Sequence, residues 1–192
     1  MTDLLLALLA YFIGTFPTAF LFGRFLKKAD IRQLGSGNVG ALNTFKHIGY
    51  LPGLLTLAVD IAKGSLAVYL ALQYGNLPQL PVLAAFMAVL GHNFNLFLGF
   101  KGGKGLGCLI GSLLLISPVT ILYMFALIAI LTLILRDTNT AAGLGIFALP
   151  LILGLQKDHW IFYLTGTAIA ILVMVKHLKD FRAYRDGRRK FI

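Results

Sequence analysis

The chain has 192 residues, of which 58% are hydrophobic, and a formal net charge of +10. Soluble globular domains average about 45–50% apolar residues, so this composition and a mean hydropathy of +0.85 exclude a soluble domain and predict one integral membrane domain, 1–192. The single cysteine, Cys108, excludes an internal disulfide and a Cys-based zinc site, and its apolar surroundings favour packing over nucleophilic chemistry.

The predicted membrane spans follow from the apolar runs, because a bilayer-crossing helix needs about 20 mainly apolar residues. The N-terminal run contains Asp3 instead of a basic region and has spanning length, which indicates a retained helix and not a cleaved signal. Candidate spans are residues 4–23, 51–74, 81–99, 118–135, 140–155 and 159–176. Segment 105–135 allows one long kinked helix, or a short helix at 106–116 that turns at Ser117-Pro118.

The basic residues decide between these alternatives. Segment 24–50 holds five Lys or Arg residues and the stretch from Lys176 onward holds seven, and the positive-inside rule places both in the cytoplasm. Only seven spans satisfy this, with the N-terminus outside and the C-terminus cytoplasmic; fifteen of the seventeen basic residues then lie inside. The sequence therefore predicts an all-α polytopic membrane protein with seven transmembrane helices, some short. The basic rim suits anionic lipid headgroups, and no basic–aromatic groove indicates nucleic-acid binding.

Two glycine-rich loops fall on the inner side of this topology: GSGNVGALN at 35–43 and FKGGKG at 100–105. Glycines let consecutive N–H groups approach a ligand closely, and such a backbone nest binds anions. Ser36 and Asn38 add side-chain donors to the first loop, and Lys104 adds a mobile positive charge to the second. Neither loop has P-loop spacing. The pattern indicates phosphate binding without a nucleotide signature; the alternative is two plain inter-helix turns.

Polar residues within the spans form a second group of candidates. Asp60 and Lys63 are three residues apart, so they share one helical face and can pair. They are either a structural ion pair beneath the first loop or direct substrate contacts. His92, beside Asn93, is either part of a hydrogen-bond network or a ligand to substrate. His177, at the start of the basic tail, is the best titratable candidate for proton transfer.

Together these segments resemble the PlsY family, the bacterial acyl-phosphate-dependent glycerol-3-phosphate acyltransferases. The resemblance covers nearly the whole chain and rests on GSGNVGALN with Lys46, on GHNFNLFLGFKGGKG at 91–105, and on His177 with the tail. DIAKG at 60–64 also fits. Lys46 replaces a usual Arg, which keeps the charge but loses the bidentate fork. The third motif departs from the family pattern at Leu178, Asp180, Ala183 and Arg189, where Arg, Asn, Arg and Glu are expected.

The resemblance implies transfer of a fatty acyl group from acyl phosphate to the 1-hydroxyl of sn-glycerol 3-phosphate. The products would be lysophosphatidic acid and inorganic phosphate, in the first acylation step of phospholipid synthesis. The resemblance implies that no cofactor or metal is needed. It also implies contact with membrane lipids and a place in the bacterial cytoplasmic membrane, with the active site at the cytoplasmic face. Because both substrates carry phosphate, one polar segment could hold each.

The site residues implied by the resemblance fall into four groups. The expected catalytic residues are Ser36, Asn38, Lys104 and His177. Contacts to the donor phosphate are expected from Ser36, Gly37, Asn38, Gly40, Ala41, Asn43, Gly102 and Gly103. Contacts to the acceptor are expected from Lys46, Lys104, His177, Asp180 and Arg182. A supporting network is expected from Asp60, Lys63, His92 and Asn93.

The implied mechanism is direct transfer, because an acyl phosphate already has a good leaving group and the sequence offers no evident Ser–His–Asp or Cys–His unit. Catalysis would rest on orientation and electrostatic stabilisation. The hydroxyl proton goes either to a donor phosphate oxygen, the substrate-assisted route that we favour, or to His177 as general base. The alternative function is a phosphate or organic-anion transporter. Transporters, however, usually carry repeats around a mid-bilayer site, whereas the polar residues here crowd one face.

Overall fold

The computed structural model describes residues 1–187, and over that range the chain forms only helices and their connections. The α-helices are Thr2–Gly14 (α1), Thr18–Lys27 (α2), Ala41–His47 (α3), Tyr50–Tyr74 (α4), Leu80–Asn93 (α5), Leu106–Ile116 (α6), Pro118–Leu135 (α7), Thr138–Gly145 (α8), Leu149–Lys157 (α9) and Trp160–Arg185 (α10). Short 3-10 helices lie at Ile31–Gln33, Leu96–Leu98 and Ile146–Ala148. The predicted all-α fold is confirmed.

Six stretches of the described chain are long and apolar enough to cross a membrane. They are Thr2–Lys27, Tyr50–Tyr74, Leu80–Leu98, Pro118–Leu135, Thr138–Lys157 and Trp160–Arg185. A shorter apolar helix, α6, has 11 residues and is therefore only about 16 Å long. It is separate from α7 because Ser117 leaves the helical region (φ −161°, ψ 86°) and Pro118 opens the next helix. Segment 105–135 thus forms two helices. The seven-span topology and the sidedness of the termini stay predictions.

The surface of the described chain is apolar, as expected of helices in lipid. Large apolar side chains are exposed on several helices, with Leu133 at 79% and Phe25 at 77%. Conversely, Asp60, Lys63 and His177 are buried. Ionisable side chains are costly in hydrocarbon and generally face the protein interior, so this distribution indicates that lipid surrounds the helices.

Met1–Ile116 form one compact unit, in which α4 packs on α6 and α1 packs on α5. Glycines bring these helices close together. A Cβ on Gly64 would overlap the backbone of Cys108, and a Cβ on Gly91 would overlap that of Tyr11. Lipid tails are as apolar as leucine, so membrane helices associate through close packing of small residues. Cys108 is fully buried in this interface, which agrees with the predicted packing role.

A second compact unit begins at Ser117 and contains α7 to α10. Helix α10 packs on α9 and α8, and α7 packs on α8. Gly154 lies against the ring of Tyr163, and Gly143 lies against the side chain of His177. The interpretation of the chain as a single domain stays a prediction.

The last helix is longer than the predicted span at 159–176. Helix α10 continues to Arg185, because no glycine or proline occurs between Lys176 and Gly187, which takes a left-handed conformation at φ +63°. The first residues of the predicted basic tail, including His177 and Arg182, therefore lie on a regular helix. The departure from the family pattern at Arg189 lies outside the described residues.

Candidate active site

The first glycine loop is shaped by the buried side chain of Asn43. Its Nδ2 donates to the carbonyl oxygens of Ile31, Leu34 and Asn38 at 3.0–3.2 Å, and its Oδ1 accepts the N–H of Ser36 at 3.2 Å. One amide thereby closes residues 31–43 into a compact turn. Asn43 was expected to support the donor phosphate, and in the structure its side chain makes these internal hydrogen bonds, which hold the loop in shape.

The segment before this loop is held by an ion pair that the sequence analysis did not identify. The Arg32 guanidinium donates from Nε and Nη2 to the Asp30 carboxylate, the Nη2 contact being 2.6 Å. Its Nη1 donates 3.0 Å to the carbonyl oxygen of Leu98, just before the second glycine loop. The hydrogen bond from Arg32 lowers the pKa of Asp30 from 3.8 to about 2, although burial opposes that shift. Arg32 therefore ties the two loop regions together as a cation.

The second glycine loop folds back onto the end of α5. The N–H of Gly102 donates to the carbonyl oxygen of Asn93 at 3.2 Å, and the N–H of Gly103 to that of His92 at 3.1 Å. A Cβ on Gly103 would collide with the His92 ring and would lie 2.5 Å from the carbonyl oxygen of Val39 in the first loop. The two glycine loops are thus in close contact, and only a residue without a side chain fits where they meet.

A charged cluster lies beside this contact. Lys63 Nζ is 2.8 Å from Asp60 Oδ1, and Nδ1 of His92 is 3.5 Å from the same oxygen. Both members of the Asp60–Lys63 pair are less than 10% exposed, so each charge compensates the other away from water. The three side chains line a small cavity together with Gly102 and Gly103.

The same cluster stabilises a break in the first membrane span. Helices α1 and α2 are separated at Thr15–Pro17, where Lys63 Nζ donates 3.2 Å to the carbonyl oxygen of Phe16. Asn95 Nδ2 donates to the carbonyl oxygen of Thr15, and Phe16 and Asn95 line the cavity. Freed carbonyl groups in a membrane helix must find donors. The break therefore directs backbone polarity toward the glycine loops.

The predicted site residues of the first unit are largely brought together. Both glycine loops meet, and Asp60, Lys63, His92 and Asn93 lie beside them; their role as a supporting network stays a prediction. Ser36 is exposed, Lys104 is half-buried and Lys46 is exposed on α3. The spacing of three residues correctly predicted the Asp60–Lys63 pair.

The structure corrects one feature of the predicted anion nest. The N–H groups of Gly37, Gly102 and Gly103 were expected to point at phosphate, but in the structure they donate to the carbonyl oxygens of Leu34, Asn93 and His92. Tight turns close on their own backbone, so these glycines supply conformation and space. Gly37 takes a left-handed φ of +69°, a conformation that favours glycine.

The predicted residues of the third segment lie in the second unit. His177 is fully buried, and its Nδ1 is 2.8 Å from the carbonyl oxygen of Val173. Because a carbonyl oxygen can only accept, this hydrogen bond places a proton on Nδ1. Asp180 is 4% exposed and so faces the protein interior. Arg182 is exposed and, with Arg185, lines a mainly apolar cavity of the second unit.

Sequence reasoning missed the roles of Asp30 and Arg32, and it did not predict the partner of Asn95. The first two carried a usable signal, since an Asp two residues before an Arg can cap a turn and pair with it; here Asp30 Oδ1 also accepts the Arg32 N–H. Asn95 lies next to His92 and Asn93 in sequence, but its partner at Thr15 is 80 residues away, and no local pattern identifies such a contact.

We expect the Asp30–Arg32 pair to make stability depend on pH. The lowered pKa of Asp30 means that its contribution is complete above about pH 4 and is lost as pH falls through about 2. Thermal unfolding in detergent should show Asp30→Asn less stable than the unsubstituted protein at neutral pH, with the difference shrinking below about pH 4. A difference that stays constant down to pH 2 would contradict this assignment.

Fold and site together define a polytopic membrane protein in which two glycine loops meet beside buried charged residues. Residues 4–187 match the family described as glycerol-3-phosphate acyltransferase. The chain belongs to this family, and it is an acyltransferase.

Individual relatives agree with this assignment. Glycerol-3-phosphate acyltransferase 2 of Moorella thermoacetica is 48% identical over 122 residues, which cover 64% of this chain and 62% of that protein. Glycerol-3-phosphate acyltransferase 1 of Dehalococcoides mccartyi is 37% identical over 91% of this chain and 87% of that protein. Glycerol-3-phosphate acyltransferase of Chlorobaculum tepidum is 31% identical over 97% of this chain and 95% of that protein.

Solved structures agree as well. The crystal structure of PlsY (YgiH), an integral membrane glycerol 3-phosphate acyltransferase, in its glycerol 3-phosphate form superposes with a TM-score of 0.89 at 27% identity. The superposition covers 100% of this chain and 96% of the PlsY chain. The lysophosphatidic acid form of PlsY gives a TM-score of 0.86 at 25% identity. The resemblance to the PlsY family inferred from the motifs is therefore confirmed.

Proposed function

We propose that this chain transfers a fatty acyl group from acyl phosphate to the 1-hydroxyl of sn-glycerol 3-phosphate, releasing lysophosphatidic acid and inorganic phosphate. The observation that carries the proposal is the meeting of the two glycine loops beside the charged cluster, in a chain of this family. The related PlsY structures are of a glycerol 3-phosphate form and a lysophosphatidic acid form, a substrate and a product of this reaction.

The donor phosphate is proposed to lie on the first loop. Ser36 and Asn38 supply side-chain donors, and the N–H groups of Gly40 and Ala41 lie at the start of α3, where a helix leaves its first amides without intrahelical partners. Lys104 contributes the positive charge of the second loop. The acceptor contacts implied by the resemblance, from Lys46, Lys104, His177, Asp180 and Arg182, stay a prediction.

Transfer proceeds without a covalent enzyme intermediate. The acceptor hydroxyl oxygen attacks the acyl carbon, the bond from that carbon to the phosphate oxygen breaks, and the hydroxyl proton passes to a phosphate oxygen of the donor. The protein contributes orientation and stabilisation of developing negative charge. Well-oriented reactants can gain about 7–11 kcal/mol in this way. The route needs no separate base, because a donor phosphate oxygen accepts the proton.

The site is proposed to face the cytoplasm from the bacterial inner membrane. The basic residues of the first loop, the second loop and the end of α10 favour the cytoplasmic side. There the fatty chain of acyl phosphate can lie between helices while its phosphate reaches the loops.

The direct test uses purified protein in detergent with acyl phosphate and glycerol 3-phosphate alone. We expect lysophosphatidic acid and inorganic phosphate in equal amounts, without an added carrier protein, coenzyme or metal. If no lysophosphatidic acid forms from acyl phosphate, the proposal is contradicted. If vesicles with the protein in their membrane take up phosphate without acyl transfer, a transporter is favoured instead.

A substitution separates the two proton routes. If the donor phosphate takes the proton, His177→Ala should reduce kcat only partly, because orientation and the leaving group remain. His177→Gln, which retains a hydrogen-bonding group, serves as the matched variant. Loss of all transfer by both variants, with normal binding of both substrates by calorimetry, would instead identify His177 as the general base.

A further inference from the structure

Arg32 makes a side-chain hydrogen bond that links the segments leading into the two glycine loops. It lies three residues before Gly35, the start of the first loop, and donates 3.0 Å to the carbonyl oxygen of Leu98, which precedes the second loop. Its other nitrogens hold Asp30, and its guanidinium lies 5.3 Å from the centre of the Phe20 ring. A planar fork with several donors can make these contacts at once.

The two sides of the second loop are held differently. After Leu98 the chain turns through Gly99 and Phe100, both with a left-handed φ of +62°, and for a phenylalanine that conformation costs about 1–2 kcal/mol. On the far side, Gly102 and Gly103 donate to the end of α5. A bond that fixes Leu98 therefore stabilises the near side, where the backbone is strained.

Arg24 provides an internal comparison. It lies 3.6 Å from Asp30 and 5.2 Å from the centre of the Phe20 ring, so it has the same charge and two of the same neighbours. No hydrogen bond from it to Leu98 is present among the described residues. Arg32 differs from Arg24 in its link to Leu98 and in its closer contact with Asp30, at 2.6 Å against 3.6 Å.

We infer that Arg32 is a positioning residue for acyl transfer: through Leu98 it sets the second glycine loop, and with it Lys104, against the first loop. It acts on catalysis through these loops, without itself touching a substrate. This inference rests on the proposed function for its kinetic consequence, but its structural consequence is independent of any substrate.

The first experiment measures hydrogen–deuterium exchange in detergent without substrate. Arg32→Ala should speed exchange of amides in residues 99–105, because the link to Leu98 is lost. Arg24→Ala should leave their exchange unchanged although it also removes a cation beside Asp30. Unchanged exchange in Arg32→Ala, or equal acceleration in both variants, would overturn the inference.

The second experiment measures steady-state kinetics. A small displacement of catalytic groups can cost on the order of 100-fold in rate. Arg32→Ala should therefore lower kcat by roughly 10- to 100-fold, with a smaller change in KM. Arg24→Ala should retain the unsubstituted rate. Arg32→Lys, which keeps the charge without the fork, should recover part of kcat, and it replaces Arg32→Ala if that variant does not fold.

The outcomes separate this inference from the proposed function. If the unsubstituted protein makes no lysophosphatidic acid, the proposed function fails, and the exchange experiment still decides the link. If it does make product and Arg32→Ala keeps full kcat while folded, the positioning role is wrong. A loss of thermal stability with normal kcat per folded molecule would likewise reduce Arg32 to a structural residue and overturn the inference.

Discussion

Replacing Gly103 by alanine is expected to lower kcat for acyl transfer on the order of 100-fold, the largest kinetic effect of any single methyl group that we predict. The added Cβ would collide with the His92 ring and would lie 2.5 Å from the carbonyl oxygen of Val39. Neither neighbour can move freely, because His92 is buried beside Asp60 and Val39 belongs to the first loop. The two loops must separate, and the groups proposed to bind phosphate separate with them.

Gly99→Ala is the matched control. Gly99 lies in the same connection and has a left-handed φ of +62°, but a Cβ there would meet nothing within 4 Å. Alanine at this position carries a backbone cost of about 1–2 kcal/mol without pushing the loops apart. We expect its kcat to stay near that of the unsubstituted enzyme. Equal losses of kcat in the two variants would show that backbone conformation, and not the spacing between loops, limits activity.

Replacing Lys63 by methionine is expected to destabilise the protein by about 3–5 kcal/mol, the usual cost of removing one partner from a buried ion pair. Methionine fills similar space, but Asp60 would keep its buried carboxylate without its 2.8 Å partner. The carbonyl oxygen of Phe16 would also lose a donor at the break between α1 and α2. Thermal unfolding in a mild detergent should show a clearly lower midpoint.

Two further variants test whether the lost stability comes from the uncompensated charge of Asp60. Asp60→Asn combined with Lys63→Met removes both charges and should restore much of the lost stability, because replacing a whole buried pair is often nearly neutral. Arg185→Met removes one partner of an exposed pair with Asp186 and should change the midpoint little. A stable Lys63→Met single variant would mean that Asp60 does not depend on Lys63 for compensation.

Several features of the fold could be predicted because they depend on local composition. Apolar runs of spanning length identified the membrane helices, and Pro118 marked the boundary between α6 and α7. The end of α10 was predicted too early, since the search for apolar residues stops at Lys176 whereas the backbone continues as a helix to Arg185. Hydropathy describes the surroundings of a helix, and helix length follows from backbone hydrogen bonds and terminating residues.

The candidate site was predictable in its residue types and less so in its contacts. Glycine and lysine patterns identified both loops, and helical spacing predicted that Asp60 and Lys63 pair. The same patterns suggested free glycine N–H groups, whereas Gly102 and Gly103 donate to α5. Whether an amide faces a ligand or its own backbone depends on which carbonyl groups lie nearby in space, and that information is not local.

By itself the sequence determined a polytopic helical membrane protein, because apolar length acts over short stretches of chain, and its motifs showed a resemblance to the PlsY family. Only the tertiary structure decided that the first loop touches the second through Val39 and Gly103. It alone revealed that Lys63 reaches Phe16, 47 residues away, and that Arg32 reaches Leu98, 66 residues away. These contacts arise when helices α1, α4 and α5 pack together, and no short segment contains both partners.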